Sequence, residues 1–356
     1  MDLEAIRTEI DRLDAQIVGL LNQRFQHVLD VGEYKRERGL EVYVPERESL
    51  LLKRLAELNE GPMDSATLRA VYREIISAAR LLEDPLGIAF LGPESTFTHQ
   101  AALNKFGRNA HYLSKRTIAD VFDAVERDHV SYGVVPVENS TEGAVTHTLD
   151  MFLDSSVKIC AEVNIVVHHN LLSHSAKGKL RVIYSHPQVF GQCRRWLQSN
   201  LPGVPLIEVS STTEAAARSS HEEDAGALAS SLAAERYGLE IQEANIEDLT
   251  DNTTRFLVLG KQEPKQTGDD KTSILFVVRD RVGALYDSLK PLSEHEISMT
   301  FIESRPSRRK SWEYYFFVDF LGHLSEENVQ ESLEGLGEHC QFVKIMGSYP
   351  RGGAPD

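Results

Sequence analysis

The sequence predicts a multidomain chain in three parts: an all-α segment of three helices, an α/β segment of alternating strands and helices, and an α+β segment of ferredoxin-like order. Three observations carry this reading. Residues 1–86 hold only helical periodicity. From Gly87 to about residue 264, short apolar runs that stop at Gly, Pro or Asn alternate with helical patterns. After a polar stretch at 262–271, residues 265–356 close the chain as strand, helix, strand, strand, helix, strand. A chain of 356 residues also exceeds one ordinary core, so two or three domains are expected.

In the first segment Leu3, Ile6, Ile10, Leu13, Ile17 and Leu20 repeat at heptad spacing, and the seam then meets Arg24 and His27 before resuming at Val31. Pro45 opens a second helix containing Arg47, Glu48, Leu51 and Leu55, closed by Gly61-Pro62. Asp64 or Ser65 caps a third, with Leu68, Tyr72, Ile75, Ala79 and Glu83 along one face. An unpaired buried guanidinium costs several kcal/mol. Arg24 therefore requires an anion, either a structural partner such as Glu48 or Glu83, or a ligand. Lys35 lies eleven positions on, near the same face. Arg7 is twenty-eight positions from Lys35, about 42 Å along a straight helix, so the two can grip one small molecule only if a second chain supplies Arg7.

Asp84-Pro85-Leu86-Gly87 punctuates the chain, and strands are expected at 88–91, 133–137, 157–167, 180–184 and 256–259, with helices at 118–127, 189–200 and 214–217. The run YGVVPVENSTEG, residues 132–143, is the most informative. Pro136 cannot donate to a ladder, so pairing should end there and release Glu138, Asn139, Ser140 and Thr141 at the strand's carboxyl end, where open α/β sheets keep ligands. A plain turn is the alternative. Similar polar groups sit at Gly92-Pro93-Glu94-Ser95-Thr96-Phe97, at Ser185-His186-Pro187-Gln188, and at Asp251-Asn252-Thr253-Thr254-Arg255-Phe256. The last segment reads as strands at 273–278, 298–304, 312–320 and 341–346 and helices at 283–292 and 326–336.

A net charge of −16 excludes a nucleic-acid partner and requires any anion site to be built from locally concentrated Arg and Lys. The acidic start Met1-Asp2-Leu3-Glu4 lacks the features of a signal peptide, and no apolar run is long enough to span a membrane. The three separated cysteines, Cys160, Cys193 and Cys340, fit a reduced cytoplasm and read as small buried hydrophobes. His168, His169 and His174 lack an HExxH or Cys context, so neither metal nor cofactor is expected. No GxSxG elbow supports a hydrolase.

Residues 1–84 resemble the all-helical chorismate mutase domain, through Arg7, Arg24, Lys35, the Arg47-Glu48 pair, Ala79 and Glu83. The resemblance implies an intertwined homodimer that rearranges chorismate to prephenate, with cations holding the carboxylates and donors stabilising the ether oxygen. Two positions depart from the family pattern: Val44 replaces a frequent Asp, and Glu83 a frequent Gln. A carboxylate only accepts hydrogen bonds, so Glu83 must be protonated to serve the ether oxygen.

Residues 87–262 are similar to prephenate dehydratase, which implies two lobes like type II periplasmic binding proteins and loss of water and carbon dioxide from prephenate in the cleft between them. Carried over by position, Thr254 is the hydroxyl nearest the chemistry, with Glu138 held protonated by burial as the rival proton donor, and Arg255 is the carboxylate anchor. Phe256 shapes the pocket, while Asn139, Ser140, Thr141, Ser185 and Gln188 orient substrate. Ser95 stands where the family usually has Gly, a modest strain if the backbone there needs positive φ. Gly283-Ala284-Leu285 and Glu303-Ser304-Arg305-Pro306 resemble the ACT domain, which implies L-phenylalanine as effector, bound between paired domains. The readings set against this are a non-catalytic amino-acid sensor and a dehydratase preferring arogenate.

Overall fold

The computed structural model describes residues 2–83, 86–279, 281–306 and 314–353. Three helices open the chain: α1 Leu3–Arg38, α2 Pro45–Leu58 with its proline in the first turn, and α3 Ser65–Glu83. Gly39, at φ 61° in the left-handed region, ends α1. The helix runs unbroken from Arg7 to Lys35, which keeps those two residues far apart. Its seam residues Leu3, Ile6, Ile10, Leu13, Ile17 and Leu20 are all exposed in the single chain, between 42% and 64%.

The next stretch builds two sheets. The first lobe contains β1 Gly87–Leu91, α4 Phe97–Phe106, β2 His111–Lys115, α5 Ile118–Glu126, β3 Tyr132–Asn139, β4 Gly143–Ala144, α6 Thr146–Met151 and β5 Lys158–Val166. The chain then crosses into a second lobe of β6 Asn170–Ser173, β7 Val182–Ser185, α7 Pro187–Gln192, α8 Arg194–Asn200, β8 Leu206–Glu208, α9 Thr212–Ser219, β9 Ala225–Ala229, α10 Ser231–Tyr237 and β10 Glu240–Glu243. It returns through β11 Thr253–Gly260, which lies between β3 and β5. The sheet orders are β2-β1-β3-β11-β5, with β4 paired to β3, and β10-β6-β9-β7-β8.

Three local expectations change. Pairing does not stop at Pro136: β3 runs on to Asn139, and a register shift opposite Arg255 and Phe256 leaves Val137 as an extra residue, a bulge that absorbs the proline. The helix expected over 189–200 is two short helices joined at Cys193, whose φ of −112° and ψ of 16° leave the helical region. The strand β9 is made of Ala-Gly-Ala-Leu-Ala and carries no β-branched residue to announce it.

The last segment is β12 Asp270–Val278, α11 Ala284–Glu294, β13 Met299–Pro306, β14 Tyr314–Leu321, α12 Glu327–His339 and β15 Cys340–Pro350, an antiparallel sheet in the order β13-β14-β12-β15. The beginning of the strand expected at 312 and the Asp84-Pro85 boundary lie outside the described residues. One face of this sheet packs on α11 and α12 through Ile274, Phe276, Val318 and Phe320. The other face, with Leu275, Val277, Phe317 and Tyr349, joins Phe122, Phe152, Ile159 and Leu257 of the first lobe in a single core. Gly347 permits this closeness, because a Cβ there would collide with the Ile159 backbone.

A buried ion network fastens the same junction. Glu162 on β5 accepts from Arg255 Nε at 2.6 Å, Lys271 Nζ at 2.9 Å and the Gly352 amide at 2.9 Å. Arg255 also donates to Asp319 at 2.5 Å and to the Tyr349 hydroxyl at 3.0 Å. Burial opposes the Glu162 charge, but Arg255 and Lys271 overcome it and hold the carboxyl below its ordinary value. A depressed carboxyl contributes stability that is present above the ordinary carboxylate range and is lost as pH falls through the depressed value. Glu162→Gln is therefore expected to lower unfolding stability by about 3–5 kcal/mol at neutral pH, with the deficit shrinking in acid. Urea unfolding at both pH values measures it, and a constant deficit would contradict the assignment.

Candidate active sites

A cavity of about 400 Å³ lies among α1, α2 and α3. It collects Arg24, Lys35, Val44, Arg47, Glu48, Ala79 and Glu83, every helical-segment residue expected at a site except Arg7. Arg7 is exposed and sits 3.6 Å from Glu4. The structural partners considered for Arg24 are engaged elsewhere. Glu83 accepts from Lys35 Nζ at 2.8 Å, and Glu48 pairs with Arg80. Arg24 Nη1 is buried with no hydrogen-bond partner, so the guanidinium is available to an anion in the cavity. Lys35 Nζ also donates to the Val42 carbonyl at 2.8 Å. An ammonium has three donors, which leaves one more to give.

In the middle segment Asn139 is the hub. Its amide nitrogen donates to Thr254 Oγ1 and to Asn252 Oδ1, both at 2.8 Å, and its oxygen accepts from the Thr141 hydroxyl at 2.6 Å and the Thr141 amide at 3.0 Å. Ser140 accepts from the Thr253 amide at 3.0 Å and donates to the Asp251 carbonyl at 3.1 Å. Residues 140–142 form the β3–β4 turn, so the turn reading and the polar-cluster reading describe the same residues. Thr141 and Asn252 share a cavity of about 410 Å³ with Gln188 and Gln192 from the second lobe, and Gln192 bridges back to Glu142 at 3.0 Å.

The loop at 92–96 is tied across the lobes: Thr213 donates to the Glu94 carbonyl and Ser230 to the Ser95 carbonyl, each at 3.0 Å. Ser95 has φ 67°, so the position does require the left-handed region, and serine carries the strain that glycine avoids.

Three residues occupy other places than the sequence implied. Arg255 turns into the ion network, because successive strand residues face opposite sides and Thr254 faces Asn139 instead. Burial works against its charge, but Tyr349, Asp319 and Glu162 hold it well above its ordinary value. Ser185 is fully buried and donates to the Leu228 carbonyl at 2.8 Å. Phe256 lies in the first-lobe core rather than at a surface. Glu138 lies 3.8 Å from Arg255 with a side chain 37% exposed, so it is not the buried carboxyl expected.

In the last segment Gly283 is left-handed at φ 78° and opens α11, with Ala284 buried beside it and Leu285 packed on the domain core. Glu303 and Arg305 share one face of β13, and Ser304 and Pro306 are exposed on the other. Arg305 donates to Asp150 at 3.3 Å, tying this strand to α6. Among the described residues no group of three or more His, Cys, Asp or Glu could hold a metal ion, and no helix is long and apolar enough to cross a membrane.

Family models match the chain in three blocks: Chorismate mutase type II over residues 6–84, Prephenate dehydratase over 88–264 and ACT domain over 272–338. A bifunctional chorismate mutase/prephenate dehydratase of Aquifex aeolicus (strain VF5) is 49% identical over 355 residues, spanning 98% of each chain. The chain belongs to the bifunctional chorismate mutase/prephenate dehydratase family. A member from Pseudomonas aeruginosa is 44% identical over 356 residues, again across 98% of each. The solved prephenate dehydratase of Arthrobacter aurescens, in complex with L-Phe, superposes with a TM-score of 0.69 at 29% identity, covering 75% of this chain and 90% of that one.

The two activities of this family, chorismate to prephenate and prephenate to phenylpyruvate in phenylalanine biosynthesis, correspond to two separately matched blocks of one chain. Sequence reasoning missed Arg80, Tyr43 and Gln192. Arg80 could have been found, since it is a cation one residue past Ala79 on a face otherwise meant for packing. Tyr43 and Gln192 gave no signal, because their partners come from other elements.

Proposed function

We propose that the helical cavity binds chorismate, with Arg24 and Arg47 on its carboxylates, Lys35 donating to the ether oxygen, and Arg7 arriving from a second copy of the chain. The observation that carries this is the buried, unpartnered Arg24 nitrogen in a cavity lined by six other expected residues. The exposed heptad seam on α1 supports a homodimer, because six large apolar side chains along one stripe need a cover. Glu83 holds Lys35 in place through their 2.8 Å ion pair. Feeding chorismate to the pure protein should yield prephenate and then phenylpyruvate; prephenate accumulating alone would refute the dehydratase half. Glu83→Gln, which breaks that ion pair, should lower mutase kcat/KM about 10-fold. Unchanged kcat/KM in a steady-state assay would overturn the role.

In the cleft we propose Thr254 as the proton donor to the departing hydroxyl of prephenate, made a better acid by the hydrogen bond it accepts from Asn139. Thr141 and Gln188 orient the substrate from opposite lobes, and Arg255 acts from behind the strand as a positioning residue. Asn139→Ala and Thr254→Val should each reduce dehydratase kcat about 100-fold with the mutase unaffected. Steady-state assays on prephenate and on chorismate separate the two, and undiminished turnover in Thr254→Val would eliminate this donor.

The last segment is proposed to bind L-phenylalanine as feedback effector at Gly283, Ala284, Leu285 and the Glu303 strand of a paired domain. The L-Phe held by the Arthrobacter relative and the uncovered edge strand β13 support this. The composition supports a cytoplasmic location.

A further inference from the structure

The wall of the mutase pocket is rooted in the dehydratase domain. Tyr43, in the loop between α1 and α2, is buried to 1% and inserts between dehydratase rings, at 5.2 Å from Phe106 and 5.0 Å from Tyr132. Its neighbour Val42 supplies the carbonyl that fixes Lys35, and its other neighbour Val44 lines the cavity. The Arg80 guanidinium stacks over Tyr43 at 4.7 Å and Phe106 at 5.8 Å while bonding Glu48 Oε2. The other oxygen of Glu48 faces Lys105 of α4 at 3.9 Å. Thus both carboxylate oxygens of a pocket residue are held, one by Arg80 within the pocket and the other by Lys105 of the neighbouring domain.

We infer that the mutase site is completed across the domain boundary, with Arg80 and Lys105 as positioning residues for Glu48 and Lys105 supplied by the dehydratase domain. This rests on the mutase reading of the helical cavity. Without the two cations the Glu48 carboxylate would be free to rotate toward Lys35 or Arg47, and the cation geometry that receives the substrate would be lost.

Lys105 is also close to Arg73 and Arg80 on α3, Glu162 on β5 and the Tyr43 ring at 5.9 Å, and Arg69 lines the same small cavity. Burial first, and then repulsion from Arg80 and Arg73, push its ammonium down to about 8. Lys105 is therefore charged below that pH and loses its hold on Glu48 above it.

The test uses the full-length chain, whose mutase kcat/KM should fall as pH rises through about 8. Lys105→Met should lower mutase kcat/KM about 5- to 20-fold at neutral pH and abolish that fall, the order expected for one ionic contact near 4 Å. Lys105→Arg should restore activity and keep it level to higher pH. Dehydratase turnover of added prephenate should stay within about twofold in all of them. A Lys105→Met protein with parental mutase kcat/KM and pH profile overturns the inference, as does an equal loss of both activities, which would make Lys105 a folding residue. Absence of mutase activity in the parent would instead remove the mutase reading itself.

Discussion

Glu162 is the constraint on which the arrangement of the domains depends. A carboxylate buried to 3% exposure on the last strand of a sheet is unfavourable unless cations and amides surround it, and it has two cations and one amide. Those groups come from different parts of the chain. Arg255 belongs to the strand that carries Thr254, Lys271 to the first strand of the C-terminal sheet, and Gly352 to the chain beyond its last strand. Satisfying one charge therefore docks the regulatory sheet against the catalytic lobe and fixes which face of β11 looks into the cleft. Hydrophobic burial alone would allow the two sheets to slide; directional bonds of 2.5–3.0 Å set one register.

The same logic orders the polar cleft. Asn139 has two donors and an oxygen, and it uses all of them within a span of β3, β11 and the turn between β3 and β4. A fully committed amide cannot rotate, so the oxygen of Thr254 is held on its accepting side and its proton is directed elsewhere. Arg255 on the reverse face clamps the same strand. The residue bonded to Asn139 and the residue bonded to the C-terminal sheet are thus neighbours on β11.

The parts of this plan legible in the sequence were those written in local pattern. Heptad spacing from Leu3 to Leu20 declared the long helix, and Arg24 on that seam declared a site, because a cation in an apolar stripe conflicts with packing. The polar groups at strand ends declared a cluster, and Asn139, Asn252 and Thr254 do bond to one another. Partner choice was not legible. Whether Arg255 meets a substrate or Asp319 depends on which side of β11 the C-terminal sheet docks, a contact between segments distant in sequence. Ser185 and Phe256 were misplaced for the same reason: a motif names residue types, and the pleat decides which of them point inward. The break at Cys193 and the alanine-rich β9 lacked any compositional mark.

Charge accounting ties the mutase pocket back to the acidic composition of the chain. The cavity holds Arg24, Lys35, Arg47 and Arg80 against Glu48 and Glu83, an excess of two cations in a molecule whose net charge is −16. On the proposed reading this excess, with Arg7 of a second copy added to it, receives the two carboxylates of chorismate. The two internal carboxylates then have a use. Each is paired to a cation that would otherwise raise the excess, and each holds that cation in place before substrate arrives, which lowers the reorganisation needed at the transition state. A pocket with the same net charge but no internal pairs would attract the dianion equally well, yet it would have to order four long side chains around it at the moment of reaction.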